Sequence, residues 1–520
     1  MKTRTRFAVV CLFAVGIVSL YLWPSRTLHM MSSSDIMASS VFSDHGTLDR
    51  LCNSYFEALA HEAPVKPSSS SLQPLSAVTN HIEHLRIFNR CYLEKGFDLS
   101  PAAELAEKQL LPFFSGHPPA GPISGQLSFL REHKNKMRGR GIVVSISDAE
   151  VGRASNLLRV LNHLGNELPI EFVHLNELSD VSIKLLSYAA ISSRALGNDQ
   201  QISFKNVGRY LAPGFDKHFK GYNRKWFAAI FNSFQEMILM DADTVPYVAP
   251  SSLFELEGYK ETGAYFFRDR ELNVLLKKWK MDFFKGLLPS KKTPFGFSVD
   301  PAQLRNNFFL FNSKHVAESG LVIMDRDTHF SGLIIPVVVQ YYRKTGKILY
   351  GDKDLFWLGQ LISGNSKFSF HYNTAGAMGE IESTGEVCSP QIAHYGNNSL
   401  LWSNGGLTKC KKGTWIKDYL WYSSFRQQFS SIADLRESYN GPVSVSEIII
   451  PAVLSDKNEP GTGQRPISNF NKVENRGCAA TYYCANANDG GRLIILDKEE
   501  KERINTIIGV WNERPLYGIL

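Results

Sequence analysis

Net charge is scarce in this chain: 57 Lys and Arg against 50 Asp and Glu leave only +7 over 520 residues. The small excess is spread out rather than gathered into a basic stripe. That excludes the electrostatic footprint of a nucleic-acid binder but suits a protein that holds a diphosphate. Internal repeats of solenoid period are absent. At 43% hydrophobic and 21% charged residues, collagen, coiled-coil arrays and wholesale disorder are excluded as well. Cysteine is sparse, seven in all, and no two form a Cys-x-x-Cys pair, which argues against a zinc site. The length allows one large α/β domain with insertions, or two domains.

The N-terminus is the first positive signal. Lys2, Arg4 and Arg6 precede an uncharged apolar run over residues 7–23, closed by Pro24. Such a run reaches about 26 Å as a helix, enough for a thin bilayer. No clean small-x-small cleavage site follows, so an uncleaved signal anchor is expected over a cleaved signal peptide. Basic residues before the span keep residues 1–6 cytosolic and put the remainder in the lumen. A short span favours early-secretory membranes, and a Golgi membrane address is expected. Six cysteines lie beyond the anchor: Cys52, Cys91, Cys388, Cys410, Cys478 and Cys484. An even number fits an oxidising lumen, and proximity in sequence favours Cys478–Cys484, then Cys388–Cys410 and Cys52–Cys91. One glycosylation sequon, Asn397-Asn398-Ser399, is present.

Composition divides the rest. Residues 24–80 are rich in Ser and Pro and read as a stem with one short helix near 47–61. A helical patch over 80–95 leads into a catalytic portion over 81–410, and residues 411–520 read as a C-terminal cap. Within the catalytic portion, Ile142 to Ile146 form a buried-strand run. Ala154, Leu157, Leu158, Leu161 and Leu164 follow at helical spacing up to Gly165, and 169–173 make the next strand. Strand, helix, strand argues for a parallel α/β sheet. A terminal helix over 497–512 places Ile504, Ile507, Ile508 and Trp511 on one face.

The chemistry sits at the centre. A helix over 227–234 is followed by the strand Met237 to Met240, then Asp241-Ala242-Asp243. Two carboxylates one residue apart at a strand's carboxyl end can both bind a divalent cation that bridges a nucleotide diphosphate. The Asp-x-Asp pattern recurs at 325/327, where Arg326 suggests a surface turn, and at 352/354, before an apolar run that reads as a helix start. Acids at a helix start are often only caps, so that pair is ambiguous. The pair at 325/327 also follows a strand, Gly320 to Met324, but only the pair at 241/243 both follows an uninterrupted apolar run and precedes Thr244-Val245-Pro246, a strand stop.

The stretch ILMDADTVPYVAPSSLFELEGYKETGAYFFRDR (238–270) closely resembles the fungal Golgi α-1,3-mannosyltransferase family, which also contains α-1,2-linking members. The resemblance extends to GRASNLLRVLNHLGNELPIEF (152–172), ESGLVIMD (318–325), GDKDLFWLG (351–359) and QIAHYGNNSLLWSNGG (391–406). It implies a type II membrane protein with a GT-A-like fold, GDP-mannose as donor, Mn²⁺ dependence and retention of the α-anomer. The acceptor it implies is a mannosylated glycan or glycoprotein.

On that resemblance Asp241 and Asp243 match the metal motif. His394 is expected as a third ligand by analogy with related retaining transferases, against the alternative of a satisfied core histidine. Arg153 begins a helix after the first strand, where it could reach a phosphate or simply face solvent. Asp354 is the candidate acid beside the reacting sugar carbon. Arg268, Asp269 and Arg270 are expected at the donor or acceptor, or as a salt-bridged turn. Trp402 and Asn404 are expected to face an acceptor sugar, or, for Trp402, to be core. The expected reaction is transfer of mannose to a mannose-terminated glycan with α-1,3 linkage. Three alternatives remain open from the residues alone: an α-1,2 linkage, another sugar nucleotide, and a silent lumenal subunit that scaffolds a transferase complex.

Overall fold

The computed structural model describes residues 31–62, 74–114, 129–191, 199–453 and 469–513, apart from 220, 273, 291–292, 343, 350 and 474–475. The expected cytosolic tail and anchor, residues 1–23, lie outside the described residues. Among the described residues no helix is long and apolar enough to cross a membrane.

Eight strands build the front half of the architecture. These are β1 (Arg140–Ser145), β2 (Ile170–His174), β3 (Ile202–Asn206), β4 (Glu236–Met240), β5 (Thr244–Pro246), β6 (Ala264–Arg268), β7 (Ala317–Asp325) and β8 (Ser369–Phe370). All but β5 form one sheet in the order β3-β2-β1-β4-β7-β6-β8. β1 runs parallel to β2 and β4, and β2 parallel to β3, while β7 is antiparallel to both β4 and β6. The parallel half follows from the sequence: helix Val151–His163 crosses between β1 and β2, and Gly165, at φ +66°, ends that helix as a left-handed cap.

The sheet separates two cores. Side chains alternate along each strand, so Ile142, Val144, Ile238 and Met240 join one cluster while Val143, Met237 and Leu239 join the other. Burial on both faces explains the unbroken apolar run that precedes Asp241. On one side lie helices Leu75–Phe88, Arg224–Phe231, Arg326–Tyr341 and Leu355–Ser363. On the other, helix Val151–His163 packs with the terminal helix Lys498–Asn512, whose Ile504, Ile507, Ile508 and Trp511 are buried as their spacing predicts. Arg159 fastens the pair by donating to the carbonyls of Val510, Trp511 and Glu513 at the helix end.

Eight further strands follow: β9 (Ala377–Gly379), β10 (Val387–Ser389), β11 (Ile392–Gly396), β12 (Ser399–Asn404), β13 (Glu447–Ile450), β14 (Phe470–Lys472), β15 (Tyr483–Ala485) and β16 (Arg492–Ile495). They form three small sheets, β11-β12-β5, β16-β13-β9 and β10-β15-β14. The sequon residue Asn397 is exposed in the tight turn between β11 and β12, at φ +52°.

Three expectations are corrected here. The Ser- and Pro-rich segment does not act as a stem over 31–62. Helix Leu48–Glu62 buries Leu51, Tyr55, Phe56 and Leu59 in the main core, so enough apolar side chains hide among the polar residues to dock it. Arg326 is no surface residue: it is fully buried and donates to the carbonyls of Ala229, Ile230, Asn232 and Phe234, satisfying the end of helix Arg224–Phe231. Of the disulfides, Cys52–Cys91 is as expected, but the other two are Cys388–Cys484 and Cys410–Cys478. Cys484 lies opposite Cys388 across the β10/β15 pair, a proximity made by strand register and invisible to sequence distance.

Candidate active site at the end of β4

The Asp241–Asp243 turn is held from two sides. The Asp241 amide donates to the Gly320 carbonyl on β7 at 2.9 Å, and the Thr244 hydroxyl donates to the same oxygen at 2.6 Å. The Asp243 carbonyl accepts from Gly405 at 3.1 Å and Gly406 at 2.8 Å. Those two glycines have φ of +109° and +70°, a backbone path that side chains disfavour, which explains the Gly-Gly pair after Asn404. The two carboxylates therefore stand on a pinned backbone at the carboxyl end of a strand that is parallel to β1, where α/β sheets bind ligands.

Each carboxylate meets a lysine. Lys225, on the helix before β4, is 4% exposed; its Nζ lies 2.7 Å from Asp241 Oδ1 and 3.2 Å from Asp352 Oδ2, and donates to the Ser319 carbonyl. Burial alone would lower the Lys225 ammonium, but Asp241 and Asp352 hold it above the ordinary lysine value. Burial pushes the Asp241 carboxyl above the usual range despite Lys225, with Asp352 and Asp243 adding repulsion. Asp243 Oδ2 accepts from Lys411 Nζ at 2.7 Å. Burial would raise Asp243 too, but Lys411 and Arg153 more than offset it and its carboxyl falls below the ordinary value.

A second charge cluster adjoins the first through Gly320, whose amide donates to Glu318 Oε1 at 2.9 Å. Lys353 Nζ lies 2.5 Å from Glu318 Oε2 and 2.6 Å from Asp269 Oδ2. Glu318 is 1% exposed and Asp269 is fully buried, so these are paired interior charges. Burial would raise the Asp269 carboxyl; Lys353, His315 and Arg270 hold it well below the usual range.

Comparison with known proteins decides the family. A family model described as "Mannosyltransferase putative" matches residues 139–396. Alpha-1,3-mannosyltransferase MNT2 of Saccharomyces cerevisiae is 35% identical over 398 residues, covering 72% of this chain and 68% of the relative. The chain belongs to the fungal α-1,3-mannosyltransferase family. Alpha-1,3-mannosyltransferase MNT3 of the same yeast is 29% identical, over 72% of this chain and 63% of its own length, so the chain spans less than two thirds of that relative. A solved mannosyltransferase from S. cerevisiae, Ktr4p in complex with GDP, overlays 63% of this chain and 86% of its own at a TM-score of 0.30 and 13% identity.

Of the expected site residues, Asp241 and Asp243 share one turn, and the charge of Arg153 is felt at Asp243 without a direct ion pair between them among the described contacts. His394 stands apart. It is fully buried in β11, stacked on Trp402 at 3.9 Å with an interplanar angle of 15°. Among the described residues, the one three-ligand cluster of metal-binding type is Glu386, Cys388 and Cys484, two of which are joined as a disulfide. Trp402 is core, not an acceptor platform, and Asn404 donates to Glu318 Oε1 at 3.0 Å.

Asp354 is corrected most sharply. Its carboxylate accepts from the amides of His315, Val316 and Ala317 at 2.8, 2.9 and 3.0 Å and from Trp357 Nε1 at 3.3 Å. With 3% exposure and both oxygens engaged, it anchors the chain entering β7 and presents nothing to a substrate. Arg268 donates to the His371 carbonyl, and Arg270 stacks on Tyr483 at 3.9 Å. Sequence reasoning missed Lys225, Lys411 and Glu318. A lysine inside the apolar helix 224–231 was the one available signal, since a buried lysine needs an anionic partner.

Proposed function

We propose that this chain transfers mannose from GDP-mannose to a mannose-terminated glycan, with retention of configuration and an α-1,3 linkage, on a GT-A-like fold. One observation carries the reading: a chain of the α-1,3-mannosyltransferase family places Asp241 and Asp243 on a pinned turn at the end of β4, each balanced by a lysine. Two carboxylates are hard oxygen donors of the kind Mn²⁺ takes, and the side chains of Asp241 and Asp243 keep 37% and 17% exposure. Bound there, Mn²⁺ supplies charge neutralisation for the diphosphate leaving group. The chain's own cations complete the task. Lys411, paired with Asp243, and Arg153, whose charge reaches it, orient the phosphates, while Lys225 fixes the Asp241 carboxylate.

The test is incubation of the lumenal portion with a panel of sugar nucleotides, Mn²⁺ and mannobiose, followed by linkage analysis. Transfer from GDP-mannose with an α-1,3 product is expected; transfer from another nucleotide, or an α-1,2 product, overturns the assignment.

The apolar run over 7–23 is proposed as a type II anchor in a Golgi membrane, and the three disulfides favour a lumenal body. A C-terminal tag protected from protease in intact microsomes supports this topology, and digestion without detergent refutes it.

A further inference from the structure

The sequence holds a single Asn-x-Ser/Thr sequon, Asn397-Asn398-Ser399, and the fold sets it at the tip of the β11–β12 hairpin. Asn397 and Asn398 make the turn, with φ of +52° and +58°, a left-handed pair that asparagine tolerates, and both are exposed. Beside the tip stands an aromatic ring that the rest of the chain leaves open. Tyr372 is 55% exposed; its ring packs on His371 at 4.5 Å, and its hydroxyl accepts the Asn397 amide at 2.8 Å. Tyrosine joins an apolar body to a polar tip, and a sugar ring carries C–H groups on one face and hydroxyls around it, so the two surfaces match.

The order of synthesis leaves the sequon open to modification. In the folded chain the Ser399 hydroxyl accepts from Arg503 Nη2 at 3.0 Å, a partner 104 positions later. Residues 397–399 therefore emerge before helix Lys498–Asn512 exists to engage them. The tip also lies the length of β12, about 17 Å, from Asn404 and the two glycines that pin the Asp243 carbonyl. A glycan at the tip leaves the metal turn clear.

We propose that Asn397 carries an N-linked glycan whose first sugar covers Tyr372 and braces the β11–β12 hairpin. The inference rests on the lumenal reading given above, since the donor, an oligosaccharide on a lipid diphosphate, and its transferring enzyme belong to secretory membranes. Transfer breaks the C1–O bond to the diphosphate, forms a C1–N bond to Asn397 Nδ2, and passes one amide proton to the departing diphosphate.

The full chain made in a eukaryotic secretory host tests this. An endoglycosidase that leaves one sugar on the asparagine should shift wild type downward on a gel and leave Asn397→Gln unshifted. As a control, Lys412→Asn added to Asn397→Gln creates a sequon with Gly413 and Thr414, where Lys412 and Gly413 are exposed. A shift in the control but not in wild type overturns the site; no shift in either defeats the lumenal reading, and this inference with it. Thermal melts then test Tyr372. Untreated wild type and the form trimmed to one sugar should melt alike, while a form stripped by an amidase, which leaves aspartate in place of the asparagine, should melt lower. In Tyr372→Ala all three forms should melt together. A stripped wild type that melts with the trimmed form, or an equal drop in Tyr372→Ala, overturns the contact.

Discussion

Lys411 Nζ lies 2.7 Å from Asp243 Oδ2, and Lys411 is the residue directly after the Cys410–Cys478 bridge. The cap is thereby wired into the site: a covalent link within residues 410–478 sets the lysine that balances one of the motif's two acids. The other acid is balanced by Lys225 from the helix before β4. Two carboxylates one residue apart would repel, and a lysine on each lets the turn stay ordered before metal or diphosphate arrives.

Removing either motif charge separates binding from folding. For Asp241→Asn and Asp243→Asn, Mn²⁺-dependent GDP binding is lost and turnover falls by about 10²-fold or more, the scale of one lost electrostatic stabiliser. The fold survives, because Lys225 keeps Asp352 as a partner and Lys411 is partly exposed. Titration with GDP and a thermal melt on each variant check this; normal turnover in both variants places the metal elsewhere.

Opening the Cys410–Cys478 bridge tests the wiring. It closes 68 residues of separation, and a loop of that size contributes about 4 kcal/mol in the chain-entropy account. Cys478→Ser is expected to lower the urea midpoint and also to weaken GDP binding, since Lys411 loses its tether. Peptide mapping without reductant should recover Cys388–Cys484 and Cys410–Cys478; a Cys478–Cys484 peptide contradicts the structure.

Asp354→Asn is a stability variant. An amide has one acceptor oxygen for the three backbone amides that Asp354 now satisfies, so a loss of about 1–3 kcal/mol is expected. Turnover per folded molecule stays within a few-fold of wild type. A large fall in kcat with an unchanged melt would restore a catalytic Asp354.

Acid should loosen the N-terminal helices. His81 and His84 are fully enclosed and burial lowers each to about 4. In both, Nε2 donates to a carbonyl, of Leu110 and Met31, and Nδ1 accepts from a tyrosine hydroxyl, of Tyr342 and Tyr55. The folded value lies below the unfolded one, so the folded chain binds fewer protons. Stability is full above about pH 6.5 and is lost as pH falls towards 4, by roughly 3 kcal/mol per histidine at most. Urea titrations across that window check it, and His81→Gln with His84→Gln should flatten the slope.

Much was legible in the chain itself. The apolar run before Asp241, the helical spacing after β1 and the terminal helix are local patterns, set by whether one face or both are buried, and they read directly. The family was carried by blocks of residues in order. Partnership was not legible. That Asp241 faces Lys225, Asp243 faces Lys411, Cys484 faces Cys388 and Asp354 holds three amides near residue 316 depends on strand register and crossover, which bring together residues 16 to 168 positions apart. Nor could composition tell a projecting stem from helix Leu48–Glu62, because burial is decided by what the rest of the chain offers as a surface. The sequence determined which groups were present and which elements they rode on. Only the tertiary structure decided which carboxylates were spent on the backbone and which were left to meet a substrate.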